Sequence, residues 1–192
     1  MGRRSGRSTL RDMGDYPLWR FYPPSDRPPE WARTFVGIVA MAESDVSSKK
    51  NHGLTSDSVL ARLRPAMEGA GYRVEGGKTR EQRIHLPVLF GDQGKERVAW
   101  EVDAVHDELG VAVEIEAGRG ARGNAVYRDL VRASVLVDVR FLVLGVMVSY
   151  RHQSGGKEVT VSSYAETQEV LDAIYASGRL KLPFQGLLLI GY

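Results

Sequence analysis

The stretch from Val98 to Arg119, VAWEVDAVHDELGVAVEIEAGR, constrains the chain more than any other, because it reads as two β-arms that carry their acids on one face. In the first arm Val98, Trp100, Val102 and Ala104 alternate with Glu101 and Asp103; in the second, Val111, Val113, Ile115 and Ala117 alternate with Glu114 and Glu116. A strand has a period of two, so each arm has one apolar and one acidic face. His106 to Gly110 supplies polar turn chemistry ending on a glycine. If both apolar faces enter one core, the register sets acid beside acid. Pairing residues whose numbers sum to 217 leaves 107–110 as a four-residue loop and puts Asp103 opposite Glu114 and Glu101 opposite Glu116. Opposed side chains have Cβ atoms roughly 4.5–5.5 Å apart, where like charges destabilise. A hard divalent cation such as Mg²⁺, which takes carboxylate oxygens and keeps several waters, would compensate. The plainer alternative is a solvated sheet face whose acids serve solubility. Against it, no Lys or Arg alternates with these acids on their face.

The next residues are glycine-rich, Gly118 to Asn124, and lead into a helical pattern with Val126, Leu130, Ala133 and Val137 on one side. Asn124 is placed to cap this helix, and Arg128, Asp129 and Arg132 fall mostly on its remaining face. Phe141 to Val148, FLVLGVMV, then reads as a strand buried on both faces. Strand, helix and strand predict a right-handed crossover with parallel pairing. The acidic strand would end beside a glycine-rich loop carrying Arg119 and Arg122 and a helix N-terminus, an arrangement suited to phosphate. A plain flexible loop is the alternative.

With these residues in place, the chain resembles the PD-(D/E)xK nuclease superfamily. Asp103, Glu114-Ile115-Glu116, a helix and a buried strand follow in that family's order. The phrase EVDAVHDELGVAVEIEAG followed by AVYRDLVRA is similar to the BamHI- and BglII-like restriction endonucleases, whose motif ends in Glu or Gln in place of Lys. The similarity spans roughly Ser56 to Val148 and rests on a short, degenerate motif. It implies a restriction-endonuclease-like mixed β-sheet flanked by helices. It also implies Asp103 and Glu114 as ligands of one or two Mg²⁺ ions, with Mn²⁺ as a substitute, and Glu116 in the place of the Lys. Glu116 cannot supply a positive charge, so its implied role is to hold or deprotonate the attacking water. A further departure is that no Pro precedes Asp103, since Glu101-Val102 stand there. An early helix often supplies another acid in the resembling enzymes, which makes Glu68 a candidate third ligand.

The chain has 192 residues and 43% hydrophobic content, which suits one α/β or α+β domain with a real core. It has no cysteine, which excludes disulfides and thiolate metal sites and fits a reducing cytoplasm. A formal net charge of +2 permits nucleic-acid binding without requiring it. No stretch approaches the roughly 18 apolar residues of a membrane-crossing helix.

Residues 1–30 read as an irregular arm of Arg, Gly and Pro with interleaved Tyr16, Trp19, Phe21 and Tyr22, and residues 31–192 as the domain. The aromatics are expected to dock on the domain surface; a path along a nucleic-acid backbone is the alternative. Trp31 to Met41 reads as a helix and Ala42 to Asn51 as polar linker, with Lys49, Lys50 and His52 solvated or against phosphate. A second helix starts at Thr55 or Ser56, carries Val59, Leu60, Leu63 and Met67, is kinked by Pro65 and closes at Gly69 or Gly71. Tyr72 to Glu75 and Arg83 to Phe90 read as strands flanking a basic turn, whose Lys78 and Arg80 are placed to meet DNA phosphates. The string GGKT within it lacks P-loop spacing and the helix after it. His85 and His106 are lone histidines read as structural or solvated. Tyr150 to Lys157 reads as a polar loop, Glu158 to Ser162 as a short strand, Tyr164 to Ala176 as a helix stopped by Gly178, and Gly186 to Ile190 as a last buried strand.

The expected function is metal-dependent hydrolysis of double-stranded DNA by a type II restriction endonuclease, acting as a homodimer and paired with a DNA methyltransferase. Two other classes stay open: a nuclease-fold module that binds DNA or protein without cutting, and a small-molecule α/β enzyme or sensor whose acidic face is incidental.

Overall fold

A computed structural model describes residues 16–192. Three strands form the middle of its main sheet, two of them unbroken apolar runs and the first apolar but for Glu114 and Glu116: β6 (Val111–Glu116), β7 (Phe141–Val146) and β10 (Gly186–Gly191). They are mutually parallel, with Val111 beside Phe141 and Gly186 beside Phe141 from the other side. Parallel strands are buried on both faces, and the alternation within these runs sorts their side chains into two cores. Leu188, Ile190, Val143, Val113 and Ile115 enter one core; Leu187, Leu189, Leu142, Leu144 and Ala112 enter the other.

Helices α1 (Glu30–Met41) and α3 (Ser56–Gly69) cover the first face through Phe35, Val39, Leu63 and Met67. Helices α4 (Ala125–Ala133) and α5 (Ser163–Ser177) cover the second through Val126, Leu130 and Leu171. Antiparallel edge strands complete the six-stranded order β1-β10-β7-β6-β5-β2, with β1 at Leu18–Tyr22, β2 at Arg73–Val74 and β5 at Ala104–His106. The expected mixed sheet flanked by helices is therefore present. Among the described residues no helix is long and apolar enough to cross a membrane.

Several sequence expectations are corrected. The segment expected to be an irregular arm contains β1, and Tyr22 within it is fully buried; residues 1–15 of that arm lie outside the described residues. The expected polar linker contains the short helix α2 (Glu43–Val46), followed by Ser48, whose buried hydroxyl accepts from Val148 N at 3.0 Å. Helix α3 starts as expected, with Thr55 capping it by accepting from Ser58 N at 3.2 Å, and Pro65 lies within it. Asn124 precedes α4 in a left-handed conformation and its side chain makes no cap. The expected polar loop after β7 is a hairpin, β8 (Tyr150–Ser154) with β9 (Lys157–Val161), turned by Gly155 and Gly156 at positive φ.

The largest correction concerns the arm from Val98. Strand β4 (Glu96–Val102) leaves the main sheet to pair with β3 (Ile84–Phe90) in a separate two-stranded ribbon, so β2 and β3 do not form the expected hairpin. The chain bends at Asp103 and only then enters β5. Val102 consequently packs in the second core and Ala104 in the first, so the two do not share the single core the alternation implied.

Candidate functional site

The β5–β6 hairpin keeps the register whose residue numbers sum to 217: Ala104 pairs with Val113, Val105 with Ala112 and His106 with Val111. Continued by one residue, it sets Asp103 beside Glu114. There β5 has ended, which leaves Ile115 N without a strand partner on that side. Asp103 supplies one: its Oδ2 accepts from Ile115 N at 2.6 Å, while its own carbonyl accepts from Glu75 N at 2.9 Å. Two residues on, Ala117 N donates to Ser56 Oγ at 3.1 Å, at the first turn of α3. The C-terminal end of β6 is thus held by side chains from two other elements, and Glu114 and Glu116 project on the α4 side.

A cleft of about 260 Å³ opens here, where among the described residues six carboxylates, Glu75, Glu101, Asp103, Glu114, Glu116 and Asp129, face three guanidinium groups, Arg83, Arg128 and Arg132. The cations are unevenly committed. Arg83 is bonded to Glu101, whose other oxygen lies 3.6 Å from His85 Nε2. Arg132 donates to the Glu101 carbonyl at 3.3 Å. Arg128 Nε lies 2.9 Å from Asp129 Oδ1 and its Nη2 3.6 Å from Glu116 Oε2. Glu114 has neither a hydrogen bond nor an ion pair among the described residues.

That imbalance appears in the protonation equilibria. Burial pushes the Asp103 carboxyl up to about 7 against the pull of its Ile115 hydrogen bond, with repulsion from Glu75 and Asp129 adding to it. Glu114 is raised well above the ordinary carboxylate range, first by burial and then by the charges of Asp103 and Asp129. Glu116 is raised by burial and by Asp129, and Arg128 opposes the rise. Shifts of this kind, from desolvation and like charge in a cleft, are typical of functional sites.

The site brings together Asp103, Glu114 and Glu116 as expected, and differs from expectation around them. Glu101 is not opposite Glu116: β4 carries it into the ribbon, where it pairs with Arg83. Glu68 is exposed and does not line the cleft. It stands twelve residues along α3 from Ser56, about 18 Å at 1.5 Å per residue. Lys78 is exposed and lies 2.9 Å from Asp57, on the first turn of α3; Arg80 is exposed and outside the cleft lining. Arg119 is exposed on the glycine-rich turn, and Arg122 lies in the 3-10 turn Gly120–Gly123, its side chain outside the described residues. That turn packs on α5, with Ser163 Oγ donating to Gly118 O at 2.8 Å. His106 is half-buried, edge-on to the Tyr72 ring at 5.1 Å.

Sequence reasoning missed Asp129, Glu75, Arg83, Arg128 and Arg132. Asp129 is only 4% exposed, on the face of α4 turned to the cleft. Its spacing offered a signal, since it falls three residues after Val126 and four before Ala133, within the apolar stripe.

The donors suit a hard cation: carboxylate oxygens only, two of them desolvated and mutually repelling. Among the described residues no three acidic or imidazole groups converge into a ready three-ligand cage. Mg²⁺ retains several waters and is commonly held by one or two carboxylates, so Asp103 and Glu114 satisfy that requirement. None of the comparisons, with protein-family models, with curated proteins and with solved structures, finds a match to this chain.

Proposed function

We propose that the chain is a Mg²⁺-dependent endodeoxyribonuclease of the restriction type, cutting phosphodiester bonds of double-stranded DNA. The observation that carries this reading is the desolvated Asp103–Glu114 pair, which lacks a cationic partner at Glu114 and opens onto a cleft at the carboxyl end of a parallel strand. Open α/β sheets place their ligands at such ends. The likeness of the Asp103 and Glu114-Ile115-Glu116 pattern to the PD-(D/E)xK nucleases supports the same chemistry.

In this reading Asp103 and Glu114 hold Mg²⁺ or Mn²⁺, which when bound polarises the scissile phosphate and acidifies water. Glu116 orients the attacking water and takes its proton. Its raised pKa suits it to this task, because a base works best when its pKa approaches the working pH. Asp129 keeps Arg128 in the cleft, where a guanidinium meets a phosphate. The reading includes a symmetric dimer matched to a palindromic site. Tyr127 and Val131 on α4, with Val135 just beyond it, are exposed and give such a dimer apolar surface. Sedimentation that shows only monomer on a palindromic duplex would remove the dimer from the reading.

The deciding experiment is plasmid cleavage with millimolar Mg²⁺ or Mn²⁺, comparing wild type, Glu114→Ala and chelator. Discrete fragments lost in the variant and on chelation support a sequence-specific nuclease; a smear with the same dependence supports a nonspecific one. An intact plasmid under every metal condition defeats the catalytic reading.

Gly118 gives a finer test. A Cβ at this position would lie 2.5 Å from Glu116 Oε1, so Gly118→Ala must turn the carboxylate away. Misplacing a reacting group by about 1 Å costs on the order of 100-fold. The expected result is a roughly 10- to 100-fold fall in kcat, by the same principle, with little change in Tm. Wild-type turnover in Gly118→Ala would take Glu116 out of the reaction.

A further inference from the structure

Of the three guanidinium groups at the cleft, two are spoken for by Glu101: Arg83 through its carboxylate and Arg132 through its carbonyl. Arg128 is different. Its side chain is 57% exposed and spans two acids of the cleft, Asp129 at 2.9 Å and Glu116 at 3.6 Å. Asp129 itself is fixed, with its side chain 5% exposed, so the movable member of the pair is the arginine. Beside it Glu114 faces the cleft with no hydrogen bond or ion pair among the described residues. The guanidinium therefore contacts one side of the acidic cluster and acts on Glu114 only through space, as Arg132 does.

We infer that Arg128 is a resident counterion of the acidic cleft whose charge opposes binding of the divalent cation at Asp103 and Glu114, and that cation binding shifts it from Glu116, with Asp129 still holding it at the cleft, to pair with the phosphate of bound DNA. This rests on the cation site proposed above and adds a regulated order to it, with the cation first and the phosphate clamp second. The magnitudes permit the exchange. The contact to Glu116 is long, at 3.6 Å, and comes from a guanidinium that is 57% exposed, so leaving it costs little, while the 2.9 Å contact to the buried Asp129 keeps the group at the cleft. A dication facing two or more desolvated carboxylates gains far more than a single guanidinium that remains half in water. The shifted group also suits its second task, since a guanidinium fork matches phosphate oxygens in a bidentate manner. It would supply the positive charge that Glu116 cannot, from a helix rather than from the strand.

The test is calorimetric titration of Mn²⁺ alone into wild type, Arg128→Ala and Arg128→Lys, paired with cleavage kinetics on a duplex containing the plasmid's cut site. With the opposing charge removed, Arg128→Ala should bind Mn²⁺ about tenfold more tightly than wild type, while its KM for the duplex rises about tenfold. Arg128→Lys should lie between the two on both axes. A merely structural ion pair would lower Tm and leave Mn²⁺ affinity unchanged. Equal or weaker Mn²⁺ binding by Arg128→Ala overturns the inference and leaves the nuclease reading standing, provided wild type binds the ion. If wild type binds no Mn²⁺, the cation site and this inference fall together.

Discussion

If the acidic cleft is the nuclease site proposed above, Glu114→Gln should raise the melting temperature of the metal-free protein at about pH 8, lose much of that advantage as pH falls toward about 5, and reduce Mg²⁺-dependent cleavage by roughly two to three orders of magnitude. The stability gain follows from the protonation equilibria. Asp103 is pushed up to about 7 and Glu114 is raised well above the ordinary range, both chiefly by burial. In the unfolded chain the same groups titrate near pH 4. Between about pH 4 and 7 the folded protein therefore holds protons that the unfolded chain has released, and stability falls as pH rises through that window. Every tenfold gain in proton affinity on folding corresponds to about 1.4 kcal/mol, so the penalty carried by the pair at neutral pH is on the order of a few kcal/mol. A Gln at 114 removes one of the two charges and lets Asp103 ionise without a like charge beside it. The expected gain is about 1–2 kcal/mol, or roughly 2–8 °C for a chain of this size. As pH falls the raised pKa of Glu114 removes its charge from the folded state before it would in the unfolded chain, so the gap between wild type and variant should narrow toward about pH 5.

A divalent cation should reverse the ranking. If it binds Asp103 and Glu114 as proposed, it should stabilise wild type by mass action, and Glu114→Gln should lose most of that increment. Melting curves at the two pH values, with chelator and with Mg²⁺, give four comparisons that a solubility role for the acids could not reproduce. If Glu114→Gln melts below wild type at about pH 8 without metal, the desolvated-charge account of this cleft is wrong.

The parts of this site that were legible in the sequence depend on local periodicity; the parts that were not depend on partners distant in the chain. Asp103 beside Glu114 follows from the alternation in β5 and β6 and from the loop length between them, and the observed pairs keep that register. Glu101 obeys the same alternation, yet it is lost to the main sheet because β3 captures β4, and Arg83 and His85 of β3 then hold it. No local pattern announces that competition, since both partners of β4 offer apolar alternation. The two-faced burial of β7 and β10 was readable from their unbroken apolar runs, and with it the layered α/β architecture. Asp129 is buried against the solvent preference of its charge. Its position within the Val126 to Ala133 stripe argued for the inner face. β1 was hidden for a different reason. Pro17 and Pro23 flank it, and prolines argue against a strand within a sheet but not at its edge, which is where β1 lies.

The edge strand makes the second large prediction. Tyr22 is fully buried, its hydroxyl donates to Asp172 Oδ1 at 2.7 Å, and its ring stacks on Tyr175 at a centroid distance of 5.0 Å. It thereby ties β1 to α5 across the edge of β10, along which β1 pairs from Leu18 to Tyr22. Truncating a large buried aromatic costs about 3–5 kcal/mol through lost transfer energy and the cavity left behind. Tyr22→Ala should therefore lower Tm by roughly 6–20 °C, a large share of the stability of a domain this size. Tyr22→Phe keeps the ring and loses only the hydrogen bond to a carboxylate that Arg20 also approaches at 3.4 Å, so about 1–2 kcal/mol is expected. The acidic cleft lies on β6, beyond β10 and β7 in the sheet, and cleavage by either variant below its melting range should match wild type. The ordering of the two variants matters more than either value. If Tyr22→Ala and Tyr22→Phe melt within about 2 °C of wild type, β1 is not part of the cooperative unit, and the segment is the loosely docked arm that its composition suggests.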